Sequence, residues 1–167
     1  MVSTLYSFGG LPGTGKSTLA RRLAARIRAV HLRIDTIEHA IRQAGGAASG
    51  GEGYMVAYRL AGDNLRLGLS IVADSVNPWP LTRSAWREVA LNAGAQCAEI
   101  EVICSDPYEH RHRVETRASD IEDFKLPTWD AVIRRDYRPW EGEHIVIDTA
   151  GQTADESFAA LLKALGL

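Results

Sequence analysis

The chain has 167 residues, of which 46% are apolar and 24% charged. That suits one domain, residues 1–167, with at most a lid beside it, and it supports a core held without disulfides or a structural metal. Lysine plus arginine is 19 against 21 acidic residues, a net charge of -2, so the positive excess by which a general polyanion binder displaces counterions is missing. The apolar runs fall far short of the about 20 residues of a membrane span, and no secretory leader pattern opens the chain, so a cytoplasmic protein with no membrane partner is expected.

Leu5 to Phe8, within the opening Val2 to Phe8, reads as a buried strand, followed by a glycine-rich turn and a helix over Lys16 to Ala29, in which Leu19, Leu23 and Ile27 share one face. Val30 to Ile34 is a second strand, Ile37 to Gln43 a short helix and Tyr54 to Leu69 a longer one. Between those helices Gly45 to Gly53 is too rich in glycine for a rigid element and is expected to be a mobile loop. Ile71 to Ala73, Ala98 to Cys104 and His144 to Ile147 complete the strands, and helices are expected at Leu81 to Ala93, Pro107 to Arg117, Thr128 to Tyr137 and Ala154 to Leu165. Such alternation predicts an α/β protein, a parallel sheet covered by helices on both faces, with ligands bound beyond the carboxyl ends of the strands.

Cys97 and Cys104 bracket one strand, roughly 23 Å apart at strand rise, and both read as small buried hydrophobes that cannot pair. The five histidines form no HExxH and no zinc spacing with the cysteines, so a metal is expected to arrive with a phosphate.

Gly10-Leu11-Pro12-Gly13-Thr14-Gly15-Lys16-Ser17 fits GxxxxGK[ST] at every fixed position, between a strand and an amphipathic helix, with Thr18 directly after it. The glycines let backbone N–H groups turn inward as an anion nest, and the helix N-terminus adds partial positive charge. Lys16 is suited to the β and γ phosphates and Ser17 to Mg²⁺. Asp35 closes the second strand, where a parallel sheet aims its residues at the phosphate site; a helix N-cap is the alternative reading.

Asp148-Thr-Ala-Gly-Gln152 is identical to a run in small GTPases, where the Gln orients the attacking water. Here it lies behind the last strand, far along the chain from Lys16, and no Asn-Lys pair offers a guanine-reading motif. It reads as the turn leaving the final strand, near where a nucleotide base would lie.

GLPGTGKST, RIDTI, IVADSVNP with Arg83 and Trp86, CSDPYEHRHRVETR and the late Pro127-Thr-Trp129 together resemble the P-loop kinases that include phage polynucleotide 5′-kinase, chloramphenicol phosphotransferase, gluconate kinase and zeta toxins. The resemblance spans nearly the whole chain. It implies a three-layer P-loop NTPase fold, a five-stranded parallel sheet in order 2-3-1-4-5 and a helical lid over about 111–127. It also implies ATP as donor and Asp35 as the base that orients the acceptor hydroxyl and takes its proton. Asp74 would hold Mg²⁺ through water or contact substrate and is the runner-up base, with a strand-end cap or turn as its alternative. Arg113 and Arg117, four apart on one helical face, match lid arginines, while Arg111 points elsewhere and His110 and His112 read as spectators.

In the polynucleotide kinase pattern an Arg stands three residues after the base; this chain has Glu38 there, with Arg42 one turn on as a substitute. With the net acidity, that disfavours nucleic acid and leaves a small-molecule hydroxyl as acceptor. Arg59, Asn64, Arg66, Asn77, Arg83 and Trp86 are candidates to reach it, although Trp86 and Trp129 first suggest packing. The sequence thus predicts a kinase using ATP and Mg²⁺, as a monomer or weak dimer. The alternatives are a slowly hydrolysing nucleotide switch that signals to a partner and a kinase of polynucleotide 5′-hydroxyls.

Overall fold

Short apolar strands separated by amphipathic helices can bury both faces of a sheet only if it runs parallel between two helical layers. The computed structural model, which describes residues 2–49 and 51–167, has this architecture. Its strands are β1 (Thr4–Gly9), β2 (Val30–Arg33), β3 (Ile71–Asp74), β4 (Gln96–Ile103) and β5 (Ile145–Asp148). Its helices are α1 (Lys16–Ile27), α2 (Ile34–Gln43), α3 (Glu52–Arg66), α4 (Pro80–Asn92), α5 (Pro107–Thr116), α6 (Trp129–Ile133) and α7 (Ala154–Leu165). The sheet order is β2-β3-β1-β4-β5, with every neighbouring pair parallel, as the resemblance implied. No helix among the described residues is long and apolar enough to cross a membrane.

Alternation along the central strands divides the core. Leu5, Ile71 and Ala73 pack with Ala57, Ala61 and Leu65 of α3 and Trp86 of α4 on one face. Phe8, Val72, Ile100 and Val102 meet Leu19 and Leu23 of α1 and Leu161 of α7 on the other. Trp86 is fully buried, with Tyr58 edge-on at 4.5 Å, so packing is its role. Helix ends follow local chemistry: Asp106 caps α5 by accepting from the amides of Tyr108 and Glu109, and Thr153 with Glu156 forms a capping box on α7.

Several expectations are corrected. Ile34 leaves β2 and enters α2 directly, so α2 starts three residues before the expected Ile37 and Arg33, not Asp35, is its N-cap. Glu52 and Gly53, assigned to the mobile loop, form the first turn of α3; Gly50 of that stretch lies outside the described residues. Cys97 is exposed, as is Gln96 before it at the start of β4, which begins two residues early; Cys104 is buried and both thiols are free. Finally, α6 stops at Ile133 instead of Tyr137. Beyond it the chain forms a strap held by Arg83, whose guanidinium donates to the carbonyls of Asn77, Pro78, Arg138 and Pro139. Those backbone bonds compete with further helix. Trp140 of the strap lies so close to Gly9 that a β-carbon there would collide with it.

Candidate active site

Between β1 and α1 the backbone takes the left-handed region at Gly13 (φ 88°) and Gly15 (φ 91°), which a residue with a β-carbon resists. A β-carbon on Gly13 would also fall 2.5 Å from Val114 Cγ2. Two of the loop's carbonyls are held by side chains from outside it. His110 Nε2 donates to Pro12 O at 2.8 Å, and since a carbonyl only accepts, Nε2 carries the proton. Thr149 Oγ1 donates to Thr14 O at 2.8 Å. Gly15 caps α1 without any side-chain hydrogen bond, and the first turn of α1 has no acidic residue, so its amides are open to an anion.

Lys16 opens α1 and Asp74 closes β3. Lys16 Nζ lies 2.6 Å from Asp74 Oδ1 and 3.4 Å from Ser17 Oγ. Burial alone would raise the Asp74 pKa, but the Lys16 charge and nearby hydrogen-bond donors hold it well below the usual carboxylate range. Asp74 Oδ2 is buried without a hydrogen bond; His31 Nε2 stands 3.6 Å away and Arg33 Nε 3.9 Å. The Ser17 hydroxyl and this spare carboxylate oxygen are the hard oxygen donors that Mg²⁺ prefers, so these residues fit that ion.

In front of this corner opens a cleft of about 550 Å³ whose lining includes the loop, Ser17, Thr18, Asp35, Glu38, Arg42, Arg113, Arg117 and the 118–127 segment. Asp35 sits inside the first turn of α2 and lines the cleft, so the N-cap reading is set aside. Arg117, just past α5, also lines it; its Nε is buried without a partner. Burial lowers the Arg117 pKa while the Asp35 charge opposes the shift, so the two residues are electrostatic neighbours.

Arg113 is held differently. It donates to Thr149 Oγ1 at 2.8 Å and Thr149 O at 2.9 Å and pairs with Glu109, tying α5 to the turn after β5 while still lining the cleft. Arg111 pairs outward with Glu115, as expected. Glu38 and Arg42 face the cleft, and Arg42 donates to Ala48 O at 3.0 Å. Gln152 accepts from Ser157 Oγ and does not line the cleft, so the DTAGQ run is the turn leaving β5.

The acceptor set expected from sequence is corrected. Arg59 and Arg66 line a separate groove of about 340 Å³ between α3 and α4, and Asn64 donates back to Leu60 O within its own helix. Asn77, Arg83 and Trp86 are buried structural residues. The face of α3 that meets the sheet is apolar, so its polar residues point away from the cleft. Sequence reasoning missed Arg21, Arg33, Asp120 and Arg135, which do line the cleft. Only Arg21 left a signal, lying four residues after Ser17 and so on the helical face nearest the loop. His110, read as a spectator, supports the loop and stands edge-on to Trp129 at 5.1 Å.

Residues 5–139 match the family described as AAA domain. The chain belongs to this family. No curated protein matches it in sequence. Among solved structures, this AAA domain resembles the APS kinase CysC of Mycobacterium tuberculosis in complex with AMPPNP and APS. The TM-score is 0.70 at 21% identity, covering 99% of this chain and 98% of that one. It also resembles a gluconokinase from Sinorhizobium meliloti 1021, with TM-score 0.64, 15% identity and coverage of 99% and 97%. A third is Chaetomium thermophilum Kti12 in complex with ADP-AlF3, with TM-score 0.68, 22% identity and coverage of 96% and 98%. The AAA domain therefore has the P-loop NTPase fold, and the resemblance drawn from its motifs holds for family and fold.

Proposed function

We propose that the protein is an ATP-dependent kinase that transfers the γ-phosphate of Mg-ATP to a hydroxyl of a small molecule. One observation carries the reading: a single cleft is lined by the anion nest with Lys16, which pairs with the buried Asp74 behind it, and by Asp35 and Arg117. The complexes of the similar structures, with AMPPNP and APS in one and ADP-AlF3 in another, support nucleotide phosphate at this nest.

In this reading residues 10–18 hold the triphosphate and Lys16 exchanges Asp74 for phosphate oxygens. Ser17 and Asp74 would hold Mg²⁺, which when bound offsets charge on the phosphates. Asp35 orients the acceptor hydroxyl and accepts its proton, a contribution of about 10²- to 10⁴-fold. Arg113 and Arg117 meet the charge spread over the transferred group. The whole chain acts as one kinase domain in the cytoplasm, as a monomer or weak dimer, with the 111–127 lid as its moving part.

The test is a screen of metabolite pools for ATP-dependent phosphorylation, run on the wild type beside Lys16→Ala and Asp35→Ala. Lys16→Ala should lose nucleotide binding; Asp35→Ala should still bind Mg-AMPPNP while turnover falls about 10²- to 10⁴-fold. Near wild-type turnover in Asp35→Ala defeats the base assignment. Preference for GTP with no acceptor raising turnover would favour a switch NTPase.

A further inference from the structure

Eight of the side chains lining the cleft are cationic and three are carboxylates, in a chain whose net charge is -2. Three of these cations are engaged elsewhere: Lys16 holds Asp74, Arg113 holds Thr149 and Glu109, and Arg42 holds Ala48 O. Arg21 and Arg33 are different. They come from separate elements, α1 and the end of β2, and both turn toward one carboxylate, Asp120, on the irregular segment between α5 and α6. Arg33 Nη1 lies 2.8 Å from Asp120 Oδ1 and 3.0 Å from Oδ2, and Arg21 Nη1 lies 3.0 Å from the same Oδ2.

We propose that Arg21 and Arg33 form an oxyanion subsite for a phosphomonoester group carried by the acceptor, and that Asp120 is its resident competitor. The two guanidiniums already converge on negatively charged oxygen inside the cleft. Arg33 is anchored, with about a fifth of its side chain exposed and its Nε facing Asp74, whereas Asp120 is half exposed. Ion pairs with so exposed a carboxylate stabilise little, so exchange for an incoming anion is cheap. A ligand must still outcompete a carboxylate tethered at high local concentration, which a dianion with three oxygens does better than another carboxylate. Position agrees as well. Arg33 ends β2, Asp35 lies two residues on in the first turn of α2, and both line the cleft, so an oxyanion at Arg33 shares it with the carboxylate assigned to the hydroxyl. The ligand class is thus a phosphorylated alcohol, and its arrival frees the segment bearing Asp120. The existence of the subsite is independent of the kinase reading; its assignment to the acceptor rests on it.

The test is calorimetric titration of protein saturated with Mg-AMPPNP, which fills the nest, using inorganic phosphate, glycerol 3-phosphate and glycerol. Wild type should bind glycerol 3-phosphate more tightly than phosphate and should not bind glycerol. Asp120→Asn should bind the ester roughly fivefold tighter, the effect of removing two exposed ion pairs. Arg21→Gln and Arg33→Gln should each weaken it at least about tenfold. Arg21 is more than half exposed, so its variant reports on the subsite even if Arg33→Gln fails to fold. Unchanged or weaker binding in Asp120→Asn, or unchanged binding in Arg21→Gln, overturns the subsite. Tighter binding of free phosphate than of the ester overturns the assignment to the acceptor. Failure of Mg-AMPPNP to bind defeats the kinase reading instead, and the same titrations in Lys16→Ala then test the subsite by themselves.

Discussion

Lys16 Nζ and Asp74 Oδ1, brought together from the first turn of α1 and the last residue of β3, lie 2.6 Å apart with less than a tenth of either side chain exposed. Asp74→Asn leaves the lysine buried without its counter-charge. Breaking such a pair costs about 3 kcal/mol, at the low end because Lys16 borders the cleft and can turn into it. The pH dependence has a definite sign. The folded pKa of Asp74 is depressed below its ordinary 3.8, so its contribution is present above about pH 4 and lost as pH falls toward the folded value. Urea unfolding of wild type and Asp74→Asn should differ most near pH 7 and converge below pH 4.

His110 Nε2 holds the Pro12 carbonyl, and with it the peptide that leads to Gly13 of the phosphate loop. His110→Ala removes one net hydrogen bond of about 1 kcal/mol, so the Kd for Mg-AMPPNP should rise about fivefold to tenfold. His110→Gln, which retains a donor, should recover part of that loss in the same titration.

Gly13 combines positive φ with contact against Val114 and His110. Gly13→Ala should lower the unfolding free energy by about 1–3 kcal/mol and abolish nucleotide binding, since the loop can relieve the clash only by rotating its amides. Thermal unfolding and AMPPNP titration measure the two effects. Nucleotide binding at wild-type strength would contradict the loop geometry.

Glu38 is half buried in the cleft wall, and burial followed by the Asp35 charge raises its pKa above the ordinary 4.5. The folded state therefore holds the Glu38 proton more strongly than the unfolded chain does. That stabilisation is present at low pH and is lost as pH rises through the folded pKa, leaving an ionised Glu38 that opposes folding at pH 7. Glu38→Gln should raise the urea midpoint at pH 7 relative to wild type and show no such gain at pH 4.

The parts of the site readable from sequence were those set by contiguous chain. The nest and Lys16 follow from spacing alone and Asp35 from its place next to the end of a strand in a parallel sheet, whereas Asp74 came from the resemblance. Exact boundaries were less legible: Asp35 reads as a cap because Ile34 looks like a strand residue, but the chain enters α2 with no intervening turn. What failed depended on long-range convergence. Arg33 and Asp120 meet across 87 positions, and nothing in the composition of either segment announces the other. Arg59 and Arg66 are candidates for the acceptor in the sequence, yet packing of α3 on the sheet turns them to a different groove. Strand order came from the resemblance and not from the alternation, which fits several parallel arrangements.

Trp129 stands edge-on to the same His110 ring that bonds to Pro12, so an indole is mechanically linked to the phosphate loop through one imidazole. A shift of that ring changes the packing beside the indole. The molecule thereby contains its own optical reporter: the emission of Trp129, isolated by substituting phenylalanine for the other three tryptophans, should follow occupancy of the loop without an added label.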